Sequence, residues 1–343
     1  MDAKQRFFAT SGSSFFLAAG QDVNLAQYLK AKGWLAPEEE ILETEKPGEG
    51  NMNFVLRVKT NRSQFIIKQA RPWVEKYPQI DAPIERIHTE ASFYQLAQQQ
   101  KILRDFTPKL IGTDAANYIM LLEDLGHGAD FSYVYQKDQD FNQGELDALI
   151  SFLQYLHEAA FSQEIKNDFP KNQALKALNH EHIFSFPYRA DNGLNLDDIQ
   201  VGLQALAAPI YKDSALKKVI TALGEVYLGE GPNLIHGDFY PGSWLKVGGV
   251  VKIIDPEFAY FGRAEFDLGV FLAHLKMAQS AQHFQDRVRE QYTKTASFDD
   301  ELLDKFIGVE MLRRLIGIAQ LPLSLNISEK ARLVEEGIHL LKK

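Results

Sequence analysis

The chain has 343 residues, of which 45% are hydrophobic and 24% charged, a composition typical of a globular protein large enough for two domains. Its net charge of −9, with no extended run of Lys or Arg, argues against a protein that binds along a nucleic-acid backbone. The chain has no Cys, which excludes disulfide bonds, thiolate metal sites and cysteine nucleophiles.

The apolar segments of the sequence are too short to cross a bilayer, which takes roughly 18 to 20 apolar residues. We therefore expect no membrane partner. Near the N-terminus, "TSGSS" interrupts the apolar stretch that a secretory signal would need, so a cytoplasmic location is expected. The sequence does not fix the oligomeric state, and a homodimer stays open beside a monomer.

The first third of the chain predicts a small antiparallel sheet. Residues 24–32 have helical spacing, and the residues before them are expected to form a tail. The segments "NFVLRVKT" and "SQFIIKQA" are rich in β-forming residues and are joined by "NRS", which predicts a hairpin. A helix over residues 84–98 and a strand in "YIMLLEDLG" follow.

From about residue 125 onward, helical patterns dominate, as in "GELDALISFLQYLHEAA" and "ELLDKFIGVEMLRRLIGIAQL". A strand-rich first part followed by a helix-rich remainder is typical of an α+β protein with two lobes. We predict an N-lobe over residues 1–124, built on the small antiparallel sheet, and a larger, mainly helical C-lobe over residues 125–343.

Charged residues interrupt the apolar patterns of the predicted N-lobe. Lys68 lies in "FIIKQA", a strand that is apolar on both faces, so its ammonium group needs a partner or a route to solvent. Glu90 lies on or beside the inward stripe of the next helix and is the candidate partner. Such a pair presents a positive charge to the phosphates of ATP in protein-kinase-like lobes; the alternative is a lysine and a glutamate that both reach solvent.

Gly48 and Gly50 precede the first strand of the hairpin. Backbone amides at such glycines approach a phosphate closely, although glycines before a strand are also ordinary turn residues. This signal is weak alone and gains its value from the lysine strand that follows.

Two strands that end in acids carry the most specific pattern. "NLIHGD" ends on Asp238 and "VVKIID" ends on Asp255, with Ser243 between them and Glu257 two residues beyond. Phosphoryl transfer needs an acid that orients and deprotonates the attacking hydroxyl group, and oxygen ligands that hold Mg²⁺ against the phosphates. Asp238 suits the first role and Asp255 the second. A zinc site is not expected, because no H-E-x-x-H spacing is present.

Two further residues are predicted to support the loop around Asp238. His236 is expected to be a buried imidazole that bonds to backbone rather than a catalytic base. Asp267, in "AEFDLGVF", is an inward acid on an apolar helix, where it either braces the same loop or caps the helix.

Together these motifs resemble those of the aminoglycoside phosphotransferase and choline kinase superfamily, and within it those of the methylthioribose kinases. The resemblance runs from about residue 22 to the C-terminus and implies a bilobal protein-kinase-like fold, with ATP and Mg²⁺ as cofactors. The segments that carry it are "GEGNMNFV", "FIIKQARPWV", "ERIHTEASFY", "MLLEDL", "LIHGD", "IDPEFAYFG" and "MLRRLIGIA".

The resemblance implies a role for each residue that matches a motif. Asp238 is expected to be the catalytic base, and the expected Mg²⁺ ligands are Asp255, Glu257 and Ser243. The residues expected to bind ATP are Gly48, Gly50, Asn51, Asn53, Lys68, Glu90, Glu123 and Leu125. The residues expected to contact the substrate are Arg313, Arg314 and Tyr240. The alternative for the two arginines is a helix that presents surface charge.

The span "HGDFYPGS" departs from the family pattern at Tyr240 and Pro241, and Ser243 stands where Asn is usual. These changes lie beside Asp238, where the substrate is selected. The leading acceptor is the hydroxyl group of a small molecule, 5-methylthioribose of methionine salvage or a related sugar. An aminoglycoside, choline or homoserine is the alternative, although paired arginines argue against a polycation. A catalytically silent nucleotide-binding module is the alternative of another class.

Overall fold

The structure is a computed structural model that describes residues 2–48, 52–294 and 297–343. The chain forms two compact units. The first consists of Met1–His127 together with Asp255–Phe258, and the second of Gly128–Ile254 together with Ala259–Lys343. A four-residue segment from the second half of the sequence therefore belongs to the first unit. The lobe boundary at residue 124 stays a prediction.

The first unit is built on an antiparallel sheet. Its strands are β1 (Ile41–Glu45), β2 (Phe54–Thr60), β3 (Gln64–Gln69), β4 (Trp73–Val74), β5 (Tyr77–Asp81), β6 (Leu110–Asp114) and β7 (Ile119–Glu123). Its helices are α1 (Ala3–Ser11), α2 (Asp22–Ala31), α3 (Arg86–Gln99) and α4 (Leu103–Phe106). Among the described residues, the main sheet has the strand order β1-β2-β3-β7-β6, and β4 pairs with β5 separately.

The predicted hairpin is formed by β2 and β3, in which Val55 lies opposite Lys68. The predicted helix over residues 84–98 corresponds to α3 and begins two residues later, at Arg86. Its apolar stripe, which includes Ile87 and Tyr94, is buried, because the helix packs this face against the rest of the unit.

The residues before α2 are not the expected tail. They form α1, whose N-terminus has a capping box: Asp2 accepts a hydrogen bond from the Gln5 amide at 2.7 Å, and the Gln5 side chain accepts one from the Asp2 amide. Phe7 is fully buried, and Leu17 belongs to the same core cluster as the apolar residues of β2 and β3. Burial of these apolar side chains explains why the segment is ordered.

The second unit is mainly helical. Its helices are α5 (Gln143–Glu158), α6 (Gln163–Asp168), α7 (Gln173–His180), α8 (Leu203–Lys212), α9 (Ser214–Leu228), α10 (Ala264–Met277), α11 (Gln282–Gln291), α12 (Asp300–Ile316) and α13 (Ile327–Lys342). Its strands are β8 (Ala129–Asp130), β9 (Asn233–Ile235), β10 (Trp244–Val247), β11 (Val250–Ile253) and β12 (Tyr260–Gly262). Antiparallel pairing joins β10 to β11 and β8, and β9 to β12.

Helices α10, α12 and α13 pack closely through glycines. A Cβ atom added at Gly308 on α12 would lie 2.6 Å from the Gly337 carbonyl oxygen on α13, and one added at Gly269 on α10 would lie 2.7 Å from the Phe306 Cβ on α12. These contacts fix α12, which carries the paired arginines. No helix among the described residues has the length and apolar character needed to span a bilayer.

Candidate active site

Lys68 of β3 contacts two carboxylates of the first unit. Its Nζ atom donates to Glu90 Oε1 at 2.7 Å and to Asp255 Oδ1. The Lys68 side chain is 8% exposed and that of Glu90 is fully buried. Burial alone would lower the pKa of Lys68, but the charges of Asp255 and Glu90 raise it well above its usual value. Lys68 therefore carries a fixed positive charge.

Asp255 follows β11 directly and has a left-handed backbone conformation, with φ of 61°. Its amide donates to the Tyr94 hydroxyl at 3.1 Å, which holds the turn against α3. The Asp255 side chain is 44% exposed, in contrast to the buried residues around it. A non-glycine residue in this conformation costs free energy and is found preferentially at functional sites. The turn orients a carboxylate that is accessible to a ligand.

Glu257 contacts Asn53 and Arg86. Asn53 Nδ2 donates to Glu257 Oε2 at 3.0 Å, and the Arg86 Nε atom lies 3.3 Å from the same oxygen. Burial raises the pKa of Glu257 to about 8, although the charge of Arg86 opposes this shift. The predicted nucleotide-binding residue Asn53 and the predicted metal ligand Glu257 are thus brought together.

Arg86 was not predicted as a site residue. It is fully buried, and its guanidinium donates to the carbonyl oxygens of Met52, Arg71 and Pro83 as well as to the Asn53 side chain. It thus ties the backbone before β2 to α3. The available signal was its position on α3 four residues before Glu90, which puts both charges on one face of the helix.

The oxygen donors of the first unit fit magnesium. Mg²⁺ in phosphoryl-transfer enzymes commonly takes one or two protein carboxylates, with phosphate and water oxygens completing its coordination. Asp255 and Glu257 lie close enough for the Asp255 charge to raise the pKa of Glu257. In the described ranges, no three His, Cys, Asp or Glu side chains form a preassembled metal cage. Asp255 and Glu257 offer the one or two carboxylates that Mg²⁺ commonly takes from a protein.

The remaining residues predicted to bind ATP are Gly48, Gly50, Asn51, Glu123 and Leu125. Gly50 and Asn51 lie outside the described residues. A Cβ atom added at Gly48 would meet no atom within 4 Å, so no close approach requires glycine there. The Glu123 amide donates to the Lys109 carbonyl at 2.8 Å, and Leu125 follows an aspartate that Arg57 holds by a 2.8 Å hydrogen bond.

In the second unit, the loop after β9 is braced by Asp267 of α10. Its carboxylate accepts from the His236 amide at 2.6 Å and from the Gly237 amide at 2.9 Å. His236 is fully buried, and its Nε2 donates to the Ile254 carbonyl at 3.0 Å. His157 of α5, which the sequence did not indicate, donates to Asp267 from its Nε2. These bonds fix the backbone on which Asp238 lies.

Arg313 and Arg314 of α12 both point toward Asp238. One guanidinium nitrogen of each lies 3.3 Å from Asp238 Oδ1. Both side chains are buried, so they do not present surface charge. Glu310, one helical turn earlier, lies 2.6 Å from Arg313 Nε and accepts from Arg314 Nε at 2.8 Å. Burial alone would raise the pKa of Glu310, but the two guanidinium groups hold it well below its usual value.

His274 of α10 completes this cluster. Its Nε2 donates to Glu310 Oε1 at 3.1 Å, and its Nδ1 accepts from the Tyr135 hydroxyl. Burial lowers the pKa of His274 to about 4, so the imidazole is neutral near pH 7. The ring of Tyr240 lies 4.9 Å from the Arg314 guanidinium, within the range of a cation–π contact.

Glu310 and His274 were not predicted from the sequence. Glu310 had a signal, because it precedes the arginines by three and four residues on a helix. Ser243, predicted as a metal ligand, donates its hydroxyl to the Asp238 carbonyl at 3.1 Å.

Residues 45–305 match the profile of a family described as the phosphotransferase enzyme family. The chain belongs to this family. A methylthioribose kinase from Exiguobacterium sibiricum is 26% identical to this chain over an alignment of 355 residues. The alignment covers 88% of this chain and 87% of that kinase. This relative supports the resemblance to methylthioribose kinases.

Two solved structures resemble the phosphotransferase in fold. The choline kinase LicA from Streptococcus pneumoniae has a TM-score of 0.51 at 13% identity, with 93% of this chain and 99% of that chain covered. A spectinomycin phosphotransferase, solved in complex with ADP and spectinomycin, has a TM-score of 0.52 at 14% identity, with 95% and 98% covered. The predicted superfamily and the protein-kinase-like α+β fold are confirmed, and the chain is a phosphotransferase with a hydroxyl acceptor.

Proposed function

We propose that this phosphotransferase uses ATP and Mg²⁺ to phosphorylate a hydroxyl group of 5-methylthioribose or of a related sugar. The observation that carries the proposal is the pair of buried arginines, each 3.3 Å from Asp238 Oδ1. The similarity to a methylthioribose kinase over most of both chains supports the same acceptor.

Asp238 is the proposed catalytic base. Its Oδ1 atom interacts with both arginines, which restrains the carboxylate. No side chain among the described residues donates a hydrogen bond to Oδ2, which leaves that oxygen to accept the proton of the acceptor hydroxyl. A general base needs such a free oxygen within hydrogen-bond reach of its substrate.

The first unit supplies the proposed nucleotide contacts. Lys68, held by Glu90, offers its positive charge to phosphate oxygens, and Asp255 and Glu257 are the proposed Mg²⁺ ligands. Bound MgATP supplies the phosphoryl group and neutralises the charge on it. A ligand role for Ser243 would require its hydroxyl to leave the Asp238 carbonyl, so its proposed contribution is to hold the loop.

The charges around Asp238 favour an uncharged acceptor. The carboxylates of Asp238 and Glu310 balance the guanidinium groups of Arg313 and Arg314, all within one cluster. A cationic acceptor would find no uncompensated carboxylate in this cluster to attract it. Sugar hydroxyls, in contrast, accept hydrogen bonds from guanidinium donors. This argues for a sugar over choline or an aminoglycoside.

The proposal is tested by ATP consumption with Mg²⁺ against 5-methylthioribose, other pentoses, choline, homoserine and aminoglycosides. We expect turnover of 5-methylthioribose that falls by at least about 1,000-fold in Asp238→Asn, because the base is removed while nucleotide contacts remain. The matched control is Asp191→Asn, which removes an exposed carboxylate of the second unit and should leave turnover unchanged.

The outcomes of this panel separate the alternatives. Turnover of only another alcohol would keep the kinase mechanism and replace the substrate. Tight MgATP binding without turnover of any acceptor would favour the catalytically silent nucleotide-binding module, and binding is therefore measured separately by calorimetry.

A further inference from the structure

A π-helical segment, Glu181–Ser185, follows α7 without a break and leads into a 3₁₀ turn, Phe186–Tyr188. π-Helical turns are rare and are found frequently at functional sites, because they displace side chains from the regular helical stripe. Here the two segments carry His182 and Tyr188.

Two buried polar atoms of these segments have no hydrogen-bond partner among the described residues. They are the Tyr188 hydroxyl oxygen and His182 Nδ1. Tyr188 is 3% exposed. Buried polar groups in folded proteins are almost always paired, so an unpaired one calls for a missing ligand or water. Tyr260 of the same unit shows the usual situation, since its buried hydroxyl donates to the Tyr227 carbonyl at 2.9 Å.

Both residues lie within the electrostatic reach of Arg313, which lowers the pKa of each. Burial has the larger effect: it raises the pKa of Tyr188 and lowers that of His182. Near pH 7, therefore, Tyr188 is a neutral phenol and His182 a neutral imidazole. Arg313 itself lies 3.3 Å from Asp238 Oδ1. The segment that carries the unpaired atoms packs against the end of α12, because a Cβ atom added at Gly317 would lie 3.1 Å from the Pro187 Cγ atom.

The chemistry of this group suits a hydroxyl ligand. A phenol and a neutral imidazole both donate and accept hydrogen bonds, as a hydroxyl group does. A cationic ligand would be repelled by Arg313. The Nη1 atom of Arg313 already donates to the Asn179 side-chain oxygen at 3.3 Å. A polar, uncharged group next to the reacting hydroxyl fits these constraints.

We propose that Tyr188 and His182 bind a second, non-reacting hydroxyl group of the acceptor and thereby select polyols over simple alcohols. This inference rests on the proposed function, since it requires an acceptor at Asp238. It assigns the selection of substrate to the segment after α7, in addition to the paired arginines.

The test uses Tyr188→Phe, which removes the hydroxyl and keeps the ring. We expect the KM for 5-methylthioribose to rise by about tenfold to 100-fold with kcat and the KM for ATP nearly unchanged, because a non-reacting hydroxyl is bound alike before and during transfer. The melting temperature without acceptor should stay the same or rise, since an unpaired buried hydroxyl does not stabilise the fold.

Tyr260→Phe is the matched control. It also removes a buried hydroxyl, but one that has a protein partner, so its melting temperature should fall while the KM for the acceptor stays unchanged. His182→Phe, which keeps a planar ring, is expected to raise the acceptor KM as Tyr188→Phe does.

Analogues of 5-methylthioribose that lack the 2- or 3-hydroxyl identify the bound group. The wild-type protein should have a lower kcat/KM for one of these analogues than for 5-methylthioribose. Tyr188→Phe should have the same kcat/KM for that analogue as for 5-methylthioribose, because the variant no longer binds the missing hydroxyl group. Unchanged acceptor KM in both variants, with the wild type active, would overturn this inference alone. A wild type that phosphorylates no acceptor of the panel would overturn the proposed function and this inference with it.

Discussion

Lys68 has a proposed role in nucleotide binding and also bears on the stability of the first unit, because it is the shared counter-ion of Glu90 and Asp255. We expect Lys68→Met to lower kcat/KM for ATP by about 100-fold. We also expect it to reduce the free energy of unfolding by roughly 3 kcal/mol, because it leaves the buried Glu90 carboxylate unpaired. Steady-state kinetics and urea unfolding measure the two effects.

The control for this prediction is Lys59→Met on the exposed side of β2, which should change neither quantity. Full stability in Lys68→Met would contradict the description of Lys68 and Glu90 as a buried ion pair.

His274 predicts a pH dependence of stability. Its pKa is about 4 in the folded protein against about 6.5 when unfolded, so the unfolded state binds more protons between these values. Stability therefore rises with pH across this window and is lost as pH falls from about 6.5 to about 4, by up to roughly 3 kcal/mol. Tyr135, Glu310 and Arg314 surround the imidazole and define its environment.

Urea unfolding at several pH values tests this dependence. His274→Gln should flatten the loss of stability below pH 6.5 relative to the wild type, whereas His339→Gln, an exposed residue of α13, should not. Parallel curves for the wild type and His274→Gln would show that His274 is not the titrating group.

The sequence identified some of these residues and not others for a physical reason. Three charged residues, Lys68, Asp238 and Asp255, lie within or directly after apolar strands. A charged residue is unusual in such a place, which indicates a functional role. Arg86 and His274 act through partners on other elements, and those contacts exist only in the folded chain. Glu310 was accessible from helical spacing, because its partners lie on the same helix.

At the scale of elements, α1 is expected to contribute to stability, although these residues were expected from the sequence to form a tail. Phe7 is fully buried and contacts the ring of Phe16 at 5.4 Å between centroids. Phe7→Ala should lower the free energy of unfolding by about 3 to 5 kcal/mol, the usual cost of deleting a buried aromatic ring. Val23→Ala, at a position that is 73% exposed, should cost less than about 0.5 kcal/mol.

Urea unfolding of the two variants gives this comparison. If Phe7→Ala were as stable as Val23→Ala, α1 would not be an integral part of the core.

The elements that were predicted are those with a regular period. The β2–β3 hairpin and α3 follow from strand alternation and from a helical stripe, respectively. The segment that follows α1 is held by the distant Asn117 side chain, whose oxygen accepts hydrogen bonds from the Ser14 and Phe15 amides. The π-helical turn after α7 has no period of its own to reveal it.

At the scale of the whole molecule, the first unit is continuous in space but not in sequence, because Asp255–Phe258 belongs to it. Composition along the chain predicted a strand-rich and a helix-rich part. It could not predict this return of the chain, since the segment is short and its partners Lys68 and Arg86 lie far away in sequence. A fragment of residues 1–127 therefore lacks the Asp255 and Glu257 side chains that contact the buried Lys68 and Arg86.

We expect that fragment to be less stable than a fusion in which a flexible linker attaches residues 250–262, by several kcal/mol. Urea unfolding followed by circular dichroism measures the difference. A fusion that carries both Asp255→Ala and Glu257→Ala serves as the control and should lose the gain. Equal stability of the fragment and the fusion would show that the first unit does not need the segment.

This discontinuity also has a consequence for synthesis on the ribosome. Residues 1–127 emerge first, and Asp255 is added about 130 residues later, which takes roughly 6 to 26 s at 5 to 20 residues per second. During that interval the nascent first unit carries the Lys68 and Arg86 cations without Asp255 and Glu257. The first unit therefore acquires its last buried polar contacts only after much of the second unit has been translated.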